Sequence, residues 1–399
     1  MKPLLFTEYP EKNERQYYQR LTELVKIQIE KLYGDKDFAR RDTHAKTHVA
    51  VRGNLEIFDF DETKIKDQLR RVTNLPPDYC QAISLKQGIL ATPKVYPVWL
   101  RFANGRTSVE NDYVADARSM SVKIMGVEGE RLSDSHEQQT QDLITQNSEI
   151  FFIKTIKDYS EFFQAVVQSK KSAFIWLITH PRQFIALKKT TSRTPKSLLT
   201  EKYWTGSAFS LGLPDNFDLP QAGLEAITYP AVVKFAFTPI SARQPKQKIA
   251  YQSRPGIPKF PFANRAKVLG LDENQPDNYY RKNIIQELAK PDSEFCWDFG
   301  FQLQTSPKMS IDDVTDIWKE NKSPFIPVGR LSVKHQFIDF AKQEDFAENL
   351  RFSPWNGLSV HRPVGALNRL RKVVYPLVAQ YRHQKQAVEY IEPTGDEIF

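Results

Sequence analysis

Apolar residues recur along the chain with two different periods, and the period changes by region. Between residues 9 and 33, Leu21, Leu24, Val25, Ile27, Ile29 and Leu32 fall among charged residues at helical spacing. Gly34 follows as a stop, so an N-terminal helix or arm is expected. From about residue 41 to 153 the texture becomes that of strands. The runs HVAVRGNLEIFDF, YPVWLRFAN, ARSMSVKIMGV and EIFFI are short, rich in valine, isoleucine and aromatics, and punctuated by Gly, Asn and Asp. Such a succession predicts an antiparallel sheet or barrel. Residues 158–190 read as helical, and strand character returns over 228–252 with AVVKFAFTPI and KQKIAYQS. A helix is expected at 275–290, a strand at CWDFGFQLQT, and a short helix or turn in HQFIDFAKQEDFAENLRFSP. A C-terminal helical stretch follows in VGALNRLRKVVYPLVAQYRHQKQAVEYI. No internal repeat or long low-complexity linker interrupts the pattern.

Composition narrows the class. With 399 residues, 40% of them hydrophobic and 12% aromatic, the chain can bury a sizeable core. Three parts are expected: a helical arm (1–40), a barrel core with helical insertions (41–335) and a C-terminal helical segment (336–399). No apolar run is long enough for a membrane span, and no signal peptide is seen at the N-terminus. Two cysteines, Cys80 and Cys296, cannot form a disulfide framework or a four-cysteine zinc site. These points predict a reducing, cytoplasmic setting. The net charge of +8 is compatible with anionic partners, but the basic residues are scattered and no nucleic-acid-binding signature is present, so no nucleic-acid partner is expected.

Familiar catalytic motifs are absent: there is no P-loop, GxGxxG, HExxH, GxSxG or CxxC. His44 and His48 are four apart, a metal-binding spacing on a helix. Their surroundings favour a strand, where that spacing separates them by about 13 Å, too far to share a metal. His44 keeps a dense polar neighbourhood in Arg41, Thr43 and Lys46.

Five collinear segments resemble the haem catalases. Arg41-x-Thr43-His44-Ala45-Lys46 is similar to their distal Arg-x-x-His-Ala-Lys, and Leu100-Arg101-Phe102 to a Val-Arg-Phe strand. Asp116 to Lys123 resembles Asp-Pro-Arg-Gly-Phe-Ala-Val-Lys. Asp142-Leu143, Asn147 and Ile150-Phe151-Phe152-Ile153 resemble the Asp-Leu, Asn, Ile-Phe-Phe-Ile stretch. Arg371-x-x-x-Tyr375-Pro376, with Arg382 seven residues after the tyrosine, resembles the proximal segment. The likeness is strongest over 41–160 and 360–385.

The resemblance implies an α+β fold: a catalase-like antiparallel β-barrel, surrounding helices, and a C-terminal helix carrying the haem ligand. It implies ferric haem b, with Tyr375 as axial ligand to iron. Arg371, one helical turn before Tyr375, would favour its phenolate. Pro376 should kink the helix just after it. His44 would be the general acid–base and Asn147 the amide that orients peroxide, with Gln146 as the neighbouring alternative. Arg41, Arg101 and Arg382 would hold the propionates. Phe151 would line the distal pocket and Tyr159 would stack on the haem. Read without the resemblance, Arg371 is part of a basic helix face, Tyr375 and Tyr159 are core aromatics, and the arginines are surface ion pairs.

Thr43 departs from the valine of typical catalases and resembles the catalase-related allene oxide synthases. Its hydroxyl can bond the histidine. Two enzyme readings follow: an oxidoreductase acting on hydrogen peroxide or organic hydroperoxides, and a fatty-acid hydroperoxide isomerase or lyase. A third reading is a non-enzymatic haem-binding protein. The stretch FIWLITHPRQFIALKKTTSRTPK mixes apolar and basic residues. It could rest on an anionic membrane or guide an acyl chain; a buried helix with a basic end is the favoured reading. Peripheral membrane contact and a homo-oligomer both stay open.

Overall fold

Period-2 alternation builds the centre of the molecule. In the computed structural model, which describes residues 4–41, 43–213, 226–240, 254–255 and 277–399, eight strands form one ring. They are β1 (Thr47–Ile57), β2 (Lys94–Asn104), β3 (Arg118–Ile124), β4 (Gln141–Gln146), β5 (Tyr203–Trp204), β6 (Val232–Ile240), β7 (Glu294–Leu303) and β8 (Ile326–Lys334). Each pairs antiparallel with its neighbour in sequence, and β8 pairs back onto β1, closing a barrel. Closure leaves the ring without a free edge.

Alternate residues of each strand enter a single core. Val49, Val51, Leu55 and Ile57 of β1 meet Trp297, Phe299, Phe301 and Leu303 of β7 within it. Gly53 occurs where β1 and β8 approach closely: a Cβ there would lie 2.7 Å from the Ser332 carbonyl oxygen. The strands expected at HVAVRG…, YPVWLRFAN, ARSMSVKIMGV, AVVKFAFTPI and CWDFGFQLQT are therefore all present. KQKIAYQS lies outside the described residues.

One expected strand is absent. EIFFI is not extended in a sheet; Phe151 donates its backbone N–H to Val314, and the segment leaves the barrel for the next helix. The strand preceding it, β4, and two helices inside 41–153 escaped the pattern. The helix Glu62–Val72 starts at Asp61, whose side chain accepts the Lys64 N–H. The helix Pro77–Ala82 starts with proline.

Helices pack outside the barrel. They include α1 (Glu14–Tyr33), α2 (Ile156–Gln168), α3 (Lys170–Thr179), α4 (Pro181–Thr191), α5 (Tyr279–Leu288), α6 (Phe340–Asn349) and α7 (Ala366–Gln386). The stretch expected to be helical over 158–190 is thus three helices. Ser169 caps α3, and the His180-Pro181 step starts α4. A second apolar cluster joins α1 (Leu21, Val25, Ile29), α2 (Ile156, Phe163) and α7 (Leu370, Val374, Val378). The helix α7 runs through Pro376 to Gln386. No helix among the described residues is long and apolar enough to cross a membrane.

Candidate functional site

The site lies where α7 passes the barrel. A cavity of about 680 Å³ opens between α1, α2, α4, α7 and the loops before β1 and after β2. That is the size range of cofactor and ligand pockets. A smaller chamber of about 50 Å³ lies against it, lined by Arg41, Arg101, Ser121, Phe352 and Arg382 among others. Thr43, His44 and Tyr375 line both spaces.

His44 is held by backbone geometry. Its φ is +56°, in the left-handed region that a non-glycine residue rarely adopts. Three bonds hold it there. The His44 and Ala45 amides donate to Gly105 and Arg106 carbonyls at 3.2 and 3.0 Å, and the His44 carbonyl accepts from Arg101 at 2.8 Å. Such strain persists only where the surroundings over-determine it, which is common at functional sites. The buried Nδ1 has no hydrogen-bond partner. Burial, reinforced by the charges of Arg101 and Arg371, pushes the imidazole pKa down to about 3, so the ring is neutral at pH 7. His48 is separate: its Nε2 bonds Asn104 at 2.8 Å. No cluster of three or more His, Cys, Asp or Glu among the described residues could hold a metal ion.

Tyr375 stands on α7, with Arg371 one turn earlier also on the main cavity wall. Arg371 donates to Ser207 Oγ at 2.9 Å and to Asn368 Oδ1 at 3.3 Å. Arg41 lies close enough to the Tyr375 oxygen for their charges to interact. Phe151 and Tyr159 line the main cavity and stack with ring centroids 6.1 Å apart.

Arg41, Arg101 and Arg382 converge on one residue, Glu348 of α6, the first two on its carboxylate and the third on its backbone. Arg41 reaches its Oε2 at 3.1 Å, Arg101 lies 3.8 Å from Oε1, and Arg382 donates to its backbone carbonyl. Arg40 approaches from the rim at 3.4 Å. The Nε atoms of Arg101 and Arg382 are buried without a partner. Burial lowers the pKa of Arg101 to about 9, and Arg41 adds repulsion. Among the described residues this cluster has more cation than anion, and its orphaned donors point to an anionic group.

Asn147 is not brought into the site. Its Oδ1 accepts the Arg118 N–H at 2.8 Å and its Nδ2 donates to Glu201 at 3.3 Å. Gln146, the last residue of β4, lines the cavity instead and donates to the Ile150 carbonyl at 2.7 Å. Adjacent strand residues face opposite ways, so one position of register exchanges the two amides. Glu348 was not singled out by the sequence, because nothing local marks a glutamate in a mixed helix as the partner of Arg41 and Arg101, both more than 200 residues earlier in the chain, or of Arg382 on another helix.

A barrel with this order of helices defines a catalase-like fold. A fungal catalase aligns with a TM-score of 0.60 at 18% identity, over 91% of this chain and 63% of its own. A bacterial catalase gives 0.56 at 17%, over 92% and 63%. Catalase A from Saccharomyces cerevisiae gives 0.58 at 15%, over 92% and 68%. The relationship is distant, and the chain spans slightly under two thirds of the fungal and bacterial enzymes. No protein-family model matches the sequence. No curated protein matches it either.

Proposed function

We propose that this chain is a haem-dependent enzyme acting on hydroperoxides. The observation that carries the reading is convergence: Tyr375 and His44 line one cavity whose inner end is the cation-rich chamber of Arg41, Arg101 and Arg382. These residues fit a haem. A tyrosine oxygen can ligate iron, as it does in catalase, and Arg41 lies close enough to favour an anionic oxygen on Tyr375. The orphaned Nε atoms of Arg101 and Arg382 are donors for propionates. When bound, haem supplies the iron redox chemistry that cleaves an O–O bond.

The protein's part follows from its own groups. His44, neutral and with an unpartnered ring nitrogen, accepts the proton of an incoming hydroperoxide and returns it to the leaving oxygen. Gln146, rather than Asn147, presents an amide to orient the substrate. The Thr43 hydroxyl lines the cavity beside His44.

Two features favour an organic hydroperoxide. Thr43 stands where the resemblance points towards fatty-acid hydroperoxide rearrangement. The cavity also extends along apolar side chains, Val25 and Leu32 of α1, Phe162 and Val166 of α2, and Leu187 of α4, which suit an acyl chain. The rearrangement of a fatty-acid hydroperoxide is therefore the second reading, and a haem-binding protein without turnover the third.

The ferric spectrum of the haem-loaded protein, compared with Tyr375→Phe, tests the ligand. It should change in the variant; an unaltered spectrum would count against the assignment. His44→Ala should keep haem and lose about 10²–10⁴-fold in peroxide turnover. Negligible turnover by the wild type would favour the binding protein. Oxygen release from hydrogen peroxide, set against conversion of a fatty-acid hydroperoxide, separates the two enzymes.

A further inference from the structure

The helical hairpin α3–α4 presents apolar side chains to solvent. Phe174, Ile175 and Ile178, spaced i, i+1 and i+4, share one face of α3 and are 57, 52 and 57% exposed. Ile185 of α4 is 55% exposed. Trp176 points the other way; it is buried and stacks on His180 with centroids 3.9 Å apart. The favoured sequence reading, a buried helix with a basic end, is thus overturned. A soluble surface scatters single apolar residues; four on one short hairpin need a cover.

The charges of the hairpin indicate which cover. Residues 170–200 contain seven Lys and Arg and no Asp or Glu, in a chain where the two signs are nearly balanced elsewhere. Lys170, Lys171, Lys188, Lys189 and Lys196 are exposed. Apolar side chains set among cations and no anions are complementary to the acyl–headgroup boundary of an anionic bilayer. The same hairpin walls the cavity: Ser169 and Lys170, both exposed, line it together with Leu187 and Thr191. The cavity therefore reaches the surface beside the exposed apolar face.

We infer that α3–α4 docks on an anionic lipid surface and sets the cavity opening against it, so that the enzyme draws its hydroperoxide from the bilayer. The substrate part rests on the proposed function; the docking part does not. Phe174, Ile175, Ile178 and Ile185 enter the lipid boundary. The lysines hold the anionic headgroups.

Co-flotation of the full chain with vesicles tests the docking. Wild type should float with phosphatidylcholine vesicles containing phosphatidylglycerol, and at least about tenfold less with phosphatidylcholine alone. Binding should weaken as salt is raised. Ile175→Ser/Ile178→Ser and, separately, Lys188→Gln/Lys189→Gln should each weaken it at least about fivefold, with the unfolding midpoint and the turnover of a small soluble peroxide unchanged. No flotation of the wild type overturns the inference. So does a wild-type dimer that dissociates in Ile175→Ser/Ile178→Ser, since the face would then belong to a second copy. Flotation without turnover of any peroxide would support the docking and remove the proposed function. Turnover of soluble peroxide without flotation would do the reverse.

Discussion

Two buried charge clusters sit on the same barrel, and only one of them is complete. On β3, Lys123 bonds Asp142 at 2.8 Å and also reaches Glu137; all three side chains are fully buried. The carboxylates are closed off by Ser353, Asn356, Thr140 and Tyr390, and no polar atom of the three is left over. In the chamber beside α7, Arg41, Arg101 and Arg382 share Glu348, with two orphaned donors. The first arrangement satisfies itself and needs nothing from outside. The second leaves three arginines around one glutamate, with mutual repulsion among the cations. The contrast sets the proposed anion site apart from a self-satisfied ion cluster.

The comparison breaks most readily at Lys123. Lys123→Met leaves two carboxylates buried without their cation and should cost about 3–5 kcal/mol in guanidinium unfolding. No added anion should recover it. Glu348→Gln removes the one anion shared by the arginines and should cost up to about 3 kcal/mol in the ligand-free protein. Here haem or pyrophosphate should restore most of the loss, read as a rise in unfolding midpoint. If anions rescue neither variant, the chamber is not an anion site. Arg382→Met relieves repulsion, so ligand-free stability should move by less than about 1 kcal/mol while haem affinity falls about tenfold or more in a titration.

The smallest expected effect is a difference in pH dependence. Burial pushes Glu348 up, but Arg41, Arg101 and Arg382 outweigh it and hold the carboxyl down at about 2. Its contribution is complete above the ordinary carboxylate value near 4.5 and is lost as pH falls towards 2. Asp142 goes the other way: burial, with Glu137 beside it, pushes its pKa up against the pull of Lys123. Its contribution is present below the ordinary value and declines as pH rises above it. Urea unfolding across pH should therefore lose its acid slope in Glu348→Gln, and lose the decline towards neutrality in Asp142→Asn. Identical pH profiles for the two variants would remove the distinction.

Much of the barrel was legible because strand alternation is local. Val49, Val51, Leu55 and Ile57 mark β1 by themselves, as Trp297, Phe299, Phe301 and Leu303 mark β7. The EIFFI run misled because its aromatics are apolar for another reason: Phe151 and Phe152 wall a cavity instead of filling a sheet. The short strand Gln141–Gln146 escaped because four of its six residues are polar and only Leu143 and Ile144 are apolar, though most of it is buried.

The spacing of Arg371 and Tyr375 was readable from the sequence alone, since helical period places residues four apart one above the other, whereas Arg382 was marked by the resemblance. The polar neighbourhood of His44 was readable too. Local rules stop at the edge of each element. Whether Gln146 or Asn147 faces the cavity depends on which side of β4 meets the core. Whether Glu348 meets Arg41, Arg101 and Arg382 depends on where α6 lands on a closed barrel. That choice is made by packing between segments hundreds of residues apart, so only the tertiary structure could make it.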